Sequence, residues 1–261
     1  MDSAWVFVAS RMEGRPVQRL IRSSSGTNVF AGGPVTCEGR SRVELVITGM
    51  GPVAAKRRAK AVLSGDRGFG RSLRPKPDAI LVTGLCGAVS GSLEEGALVA
   101  YHSCICSYDS RPKLHCDRAL TERVTDSLRM GGVPCLAAAG VTASRIAVSR
   151  AEKLDLGRSG AAVVDMESYE ILAAAAEAEV PAAVLRVVCD SVSRSIPDFN
   201  RAIEIDGSLN FEAALRFALF HPLSAASLFA ASRRAMKLLD QALGILFATP
   251  SRPIALESPH Q

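Results

Sequence analysis

Residues 161–190 read AAVVDMESYEILAAAAEAEVPAAVLRVVCD. A brief apolar run, an alanine-rich segment and a second apolar run in 30 residues are the marks of strand, helix and strand. The reading is Ala161 to Val164 as strand, Met166 to Ala178 as helix and Ala182 to Val188 as strand. The helix must stop before Pro181, which has no N–H to continue it and whose ring disfavours helical geometry at Val180. At its other end Asp165 stands where a side chain caps free N–H groups, and Glu167 lies in the first turn, where the helix dipole favours an acid. Capping accounts for both acids as well as a site role does, and spacing leaves the two open.

Outward from this unit the alternation persists. Trp5 to Ala9, Val43 to Thr48, Ala79 to Thr83 and Ala97 to His102 are short apolar or β-branched runs bounded by Gly, Pro or charge, and read as strands. Val53 to Leu63 and Arg118 to Met130 have helical period. The expectation is an α/β fold: one domain over residues 1–208 with a central, mostly parallel (mixed) sheet flanked by helices. The stretch 209–248 differs. It holds Phe211, Leu215, Phe217, Leu219 and Phe220, a break at Pro222, then Leu223, Leu228, Phe229, Met236, Leu238 and Leu239, the pattern of an apolar helical hairpin packed on the domain. Its uncharged part, Phe217 to Ala231, is shorter than the ~20 residues of a spanning helix. Packing on the core or a partner subunit is the first reading; the other is rest on a membrane surface, with Arg233, Arg234 and Lys237 near lipid phosphates. The tail 249–261 reads as disordered.

Composition narrows the class. With 261 residues, 48% of them apolar, the chain can bury a large core, and 5% aromatic and 22% charged residues fit neither collagen nor a coiled coil. The formal charge of +5 comes from dispersed cations: Arg71, Arg74 and Lys76 in one loop, Lys56 to Lys60 on one helix, Arg233 to Lys237 on another. These are solvated faces, and nucleic acid is not expected as a partner. Seven cysteines, an odd number, with no apolar leader before the first, point to a reducing cytoplasm. His102, Cys104 and Cys106 alternate along one run, with His115 and Cys116 nearby, but the spacing lacks paired CxxC ligands, and no metal is expected.

Three turns follow predicted strands: Thr48-Gly49-Met50-Gly51-Pro52, Thr83-Gly84-Leu85-Cys86-Gly87-Ala88 and Val164-Asp165-Met166-Glu167. Beyond the carboxyl ends of sheet strands they line one cleft, where glycine admits a phosphate or sugar close to backbone N–H groups. The last strand delivers Asp190 to the same end. An acid shielded from water there holds its proton to higher pH and can donate it to a leaving group.

Taken in order, Thr48-Gly-Met-Gly, Thr83-Gly-Leu-Cys-Gly-Ala, Val164-Asp-Met-Glu and Arg186-Val-Val-Cys-Asp190 resemble the purine nucleoside phosphorylase and nucleosidase superfamily. Val164-Asp-Met-Glu-Ser, Leu185-Arg-Val-Val, Ile196-Pro197, Asp206-Gly207 and the run around His221-Pro222 resemble its subfamily of hopanoid-associated phosphorylases. The resemblance implies cleavage of the N-glycosidic bond of a 5'-substituted adenosine, adenosylhopane in that subfamily, with release of adenine. It assigns Asp190 as general acid to the purine and Glu167 as ligand of the ribose hydroxyls. Met166 packs beneath the sugar, Arg186 holds a carboxylate, Asp165 and the run Gly84, Leu85, Cys86 and Gly87 border the substrate, and Glu13 activates water. A soluble methylthioadenosine, adenosylhomocysteine or futalosine nucleosidase is the alternative, and a nucleoside-binding module the non-enzymatic one. No cofactor is implied. Phosphate as co-substrate stays open: Val82 and Leu85 stand where phosphorylases carry an arginine and a serine, while Gly49 and Gly51, with Arg11 or Arg145, remain as a cradle. The family also implies a homo-oligomer.

Overall fold

The computed structural model describes residues 3–24, 42–64, 76–196, 198–204, 206–208 and 222–248. The first arm of the expected hairpin with His221, the tail, Pro197, Cys37, Arg71 and Arg74 lie outside the described residues.

Eight strands form one mixed sheet: β1 (Ser3–Val8), β2 (Arg42–Ile47), β3 (Ala79–Ala88), β4 (Leu98–Cys106), β5 (Leu114–His115), β6 (Cys135–Thr142), β7 (Val163–Asp165) and β8 (Ala182–Asp190). Parallel pairings β2–β1–β3–β8 make one wing. β8 also runs antiparallel to β4, and β3 antiparallel to β7, while β6 joins β7 to β4. Strands β3, β8, β4, β6 and β7 therefore close a ring of pairings, and the ends of β6, β7 and β8 meet where β3 leaves one partner for another.

Helices cover both faces. α1 (Arg11–Ser24), α3 (Arg118–Met130) and α6 (Pro222–Ala248) pack over one core, with Val17, Ile21, Val124, Leu128, Leu239 and Leu243 against Val6, Leu81 and Leu185. α2 (Pro52–Leu63) and α5 (Ser168–Glu177) pack over the other. α4 (Arg150–Gly157) begins with a capping box between Ser149 and Glu152 and sits by β7.

Several boundaries differ from the sequence reading. β3 does not turn at Gly84: it runs through Leu85 and Cys86 to Ala88, because β8 pairs with it residue for residue as far as Cys86 and β7 then takes over. Gly84, Leu85, Cys86 and Gly87 are thus strand residues, a correction to the expected glycine turn. α5 starts at Ser168 instead of Met166. α1, β5, β6 and α4 have no counterpart in the sequence reading. The second arm of the hairpin is one continuous helix whose Ala231, Ala235, Leu239, Ala242 and Leu243 are buried, so its inner stripe is core. Among the described residues no helix is long and apolar enough to cross a membrane. A register irregularity between Tyr101 and Ser103 turns His102 to solvent while Cys104 and Cys106 stay buried, so the three do not share a face. The six described cysteines are free.

Candidate active site

The site starts from a period of two. Along β8, Ala182, Val184 and Val188 face the core beneath α2 and α5, so Arg186 and Asp190 fall on that face too. Arg186 is 1% exposed. Its Nε lies 3.5 Å from Asp165 Oδ2, Nη2 lies 3.4 Å from Glu167 Oε2 and donates at 2.9 Å to Ser168 Oγ, and Nη1 donates to the Leu85 carbonyl at 3.4 Å. These carboxylates, with Glu13, hold its guanidinium protonated well above the usual range even against burial.

Directly across from Arg186 in the ladder is Gly84, with φ at +144°. A side chain there would put its Cβ 2.5 Å from Glu13 Oε1 and 2.8 Å from Arg186 Nη1. The glycine is the gap through which the α1 acid and the β8 base approach one strand. Glu13 is fixed from four directions: Oε2 accepts from the N–H groups of Ala9 and Ser10, each at 3.1 Å, and from Ser10 Oγ at 3.4 Å, and Oε1 accepts from Leu85 N–H at 2.8 Å. Ser10 Oγ in turn accepts from Glu13 N–H at 3.3 Å, a capping box that starts α1 and places its acid at the site.

The two acids of the Val-Asp-Met-Glu motif have separate tasks. Asp165 Oδ1 accepts from Thr142 Oγ1 at 2.8 Å and from the N–H groups of Glu167 at 3.1 Å and Ser168 at 3.0 Å, while Oδ2 accepts from Tyr101 Oη at 3.0 Å. It caps α5 and pins β6, β4 and α5 together. Glu167 occupies the cap position of α5 yet makes no cap bond; its Oε1 accepts from Gly51 N–H at 2.9 Å. Burial pushes its carboxyl up to about 7, with Arg186 opposing and Asp165 and Glu13 adding to the rise. Met166 packs against Gly51, its Cε 3.6 Å from where a Cβ would stand.

Gly49 and Gly51, with φ near +89° and +88°, shape the turn after β2. Met50 N–H donates to the Gly207 carbonyl at 2.8 Å, and a Cβ at Gly207 would stand 2.5 Å from that of Ala54. The Asp206-Gly207 pair therefore seats this turn. Of the expected phosphate cradle, Gly51 N–H is committed to Glu167, Arg145 pairs with Glu152 at 2.5 Å with its own side chain 63% exposed, and Arg11 is exposed at the start of α1. Among the described residues, no hydrogen bond or ion pair joins either arginine to the buried cluster.

Asp190, 3% exposed, ends β8 beside Gly87, whose Cβ would stand 3.0 Å from its Oδ2. Oδ1 accepts from Cys189 Sγ at 3.1 Å, and Oδ2 is held by the ammonium of Lys153. The sequence reading did not single out Lys153, Ser168, Tyr101 or Thr142. Lys153 sits in a charged stretch, Ala-Glu-Lys-Leu-Asp, that looks like solvent-facing helix; only the Ser149–Glu152 capping-box spacing signalled that a helix begins there.

A family model described as the phosphorylase superfamily matches residues 10–217, which span every element that builds this cluster. The chain belongs to the phosphorylase superfamily. Solved structures of the same fold include a futalosine hydrolase of Helicobacter pylori (16% identity, TM-score 0.64, 93% of this chain and 97% of that one). A 5'-methylthioadenosine/S-adenosylhomocysteine nucleosidase of the same organism, bound to butyl-thio-DADMe-Immucillin-A, matches at 16% identity and TM-score 0.64 over 93% of this chain and 98% of that one. The Neisseria meningitidis nucleosidase with methylthio-immucillin-A matches at 17% identity and TM-score 0.63, over 93% and 99% of the two chains. No curated protein matches the chain by sequence. As a superfamily enzyme it carries the expected mixed sheet flanked by helices, and ends in a long helix, Pro222–Ala248, among the described residues.

Proposed function

We propose that the chain cleaves the N-glycosidic bond of a 5'-substituted adenosine and releases adenine. The observation that carries this is Glu167. At the cap position of α5 it leaves capping to Asp165 and instead presents a buried carboxylate between Gly51 and Arg186. A ribose hydroxyl pair is a fitting ligand for such a group, and in its ionised form, above about pH 7, its negative charge favours the cationic sugar of an oxocarbenium-like transition state more than the neutral ground state. Asp190 is the acid for the purine, and Met166, against Gly51, is the floor of the sugar site.

Water is the nucleophile this reading favours, with Glu13 as its base. Four buried carboxylates, Glu13, Asp165, Glu167 and Asp190, share the cluster with two buried cations, Arg186 and Lys153. Glu13 Oε1 accepts one bond, from Leu85 N–H, and retains acceptor capacity for a water.

The 5' substituent is proposed to be a bulky lipid, adenosylhopane by resemblance. Met12, next to Glu13 on α1, is 41% exposed and faces a groove of about 780 Å³ between α1 and α6, lined also by Pro16, Phe229 and Met236 and rimmed by Arg15, Arg233 and Lys237. Phe229 is 60% exposed beneath the Arg233 guanidinium, 5.9 Å from its ring centroid. Apolar floor with cationic rim suits a peripheral contact with an anionic bilayer. A homo-oligomer and a cytoplasmic location complete the proposal. A soluble-nucleoside specificity is the second reading, and the futalosine and methylthioadenosine enzymes of the same fold favour it.

The test is Glu167→Gln and Asp190→Asn, each assayed for adenine release from 5'-methylthioadenosine. Each is expected to lose 100-fold or more in kcat, on the order of general acid–base contributions. Adenosine binding by wild type with no adenine release at any enzyme concentration would establish a binding module instead.

A further inference from the structure

We propose that Lys153 is a positioning residue for Asp190: the ammonium fixes the carboxyl through Oδ2 so that Oδ1 carries the proton that passes to the purine, leaving the carboxylate paired with the ammonium. The proposal rests on the reading of Asp190 as the acid. Lys153 is fully buried, an unusual place for a lysine. Its three N–H donors are all used, on Asp190 Oδ2, on the Ser191 carbonyl at 2.9 Å and on the Arg194 carbonyl at 2.7 Å. An ammonium saturated by three acceptors from one strand end and the turn after it has no rotational freedom, so its direction toward Oδ2 is set. Its base is equally fixed, because the Ser149–Glu152 capping box holds the first turn of α4.

The carboxylate is bounded on its remaining sides. Gly87 lies against it, where a Cβ would stand 3.0 Å from Oδ2, and Oδ1 accepts from Cys189 Sγ, a weak donor. Oδ1 is thus the oxygen left for a base. Arg194, whose carbonyl Lys153 holds, reaches Glu95 and, at 2.6 Å, Ser227 Oγ on α6. The acid is tied through Lys153 to elements outside the cluster.

The experiment is a double-mutant cycle on adenine release from 5'-methylthioadenosine, with single-turnover rates for the slow variants. Lys153→Met is expected to lower kcat about tenfold or more and change KM less than about threefold, since orientation of the acid matters in the transition state. Lys153→Arg, which keeps the charge, is expected to recover part of that loss. In an Asp190→Asn background either Lys153 substitution should slow the reaction less than about twofold, because its target is gone. An equal factor in both backgrounds would make Lys153 mere scaffold and overturn the proposal, as would unchanged kcat in Lys153→Met. If Lys153→Met fails to fold, the Lys153→Arg arm of the cycle decides by the same comparison. Asp190→Asn at wild-type rate, or a wild type that cleaves no adenosine nucleoside, would remove the reading of Asp190 itself, a result separable from failure of Lys153 alone.

Discussion

Glu167 is a carboxyl whose burial is opposed by one arginine and reinforced by two acids, and the balance leaves it up to about 7 from an ordinary value of 4.5. The folded protein therefore holds this proton more tightly than the unfolded chain. Its contribution to stability is full below pH 4.5, declines as the unfolded carboxyl ionises first, and is gone above about pH 7. Urea unfolding between pH 4.5 and 7 should show wild type losing about 3 kcal/mol relative to Glu167→Gln, a flat difference being the contrary result. At this scale the buried charges are legible in the sequence. Asp165, Glu167, Arg186 and Asp190 stand out as charged residues interrupting apolar runs. What spacing left open was which acid caps α5, and the structure divides the roles: Asp165 caps, Glu167 does not. Lys153 was invisible because nothing in a charged helix marks the one lysine that turns inward.

Among the elements, β3 carries the sharpest constraint. Gly84 lies in the strand at positive φ with Glu13 and Arg186 where a side chain would go. Gly84→Ala is expected to fold, at reduced stability of about 1–3 kcal/mol, and to lose activity steeply, because the acid pinned by four donors must move. Adenine release and thermal melting check it, and full activity would show that Glu13 is not needed in place. The sequence suggested a turn here because glycine ordinarily punctuates strands; pairing with β8 overrides that preference. The same competition hid β6, whose Leu-Ala-Ala-Ala-Gly run is poor in β-formers and is a strand only because β4 and β7 flank it. α1 was missed because Gly14 and Pro16 near its start resemble a loop, although Val17 and Ile21 are spaced for burial. α6 adds a separable expectation. Its inner stripe is core, while Phe229 is exposed, so Phe229→Ser should leave stability within about 0.5 kcal/mol and weaken turnover of detergent-dispersed adenosylhopane more than that of 5'-methylthioadenosine. Equal losses on both would argue against the α1–α6 groove as the lipid entrance. The same test with Phe217 and Phe220 concerns the first arm of the hairpin, outside the described residues.

For the molecule as a whole, closure of five strands into a ring of pairings brings residues from β3, β7, β8 and three helix starts to one buried, acid-rich cluster. The α/β class and the mixed sheet were legible from alternating runs; the ring was not, since it depends on β8 bonding two strands at once. On the proposed function, that cluster would hold a cationic sugar and a protonated base. On the same proposal Glu13 makes water, in preference to phosphate, the nucleophile. Purified protein incubated with 5'-methylthioadenosine and with adenosylhopane, each with and without inorganic phosphate, should release adenine at the same rate in both conditions and yield the free sugar by mass spectrometry. Release that requires phosphate, with a sugar 1-phosphate as product, would contradict hydrolysis and the role given to Glu13.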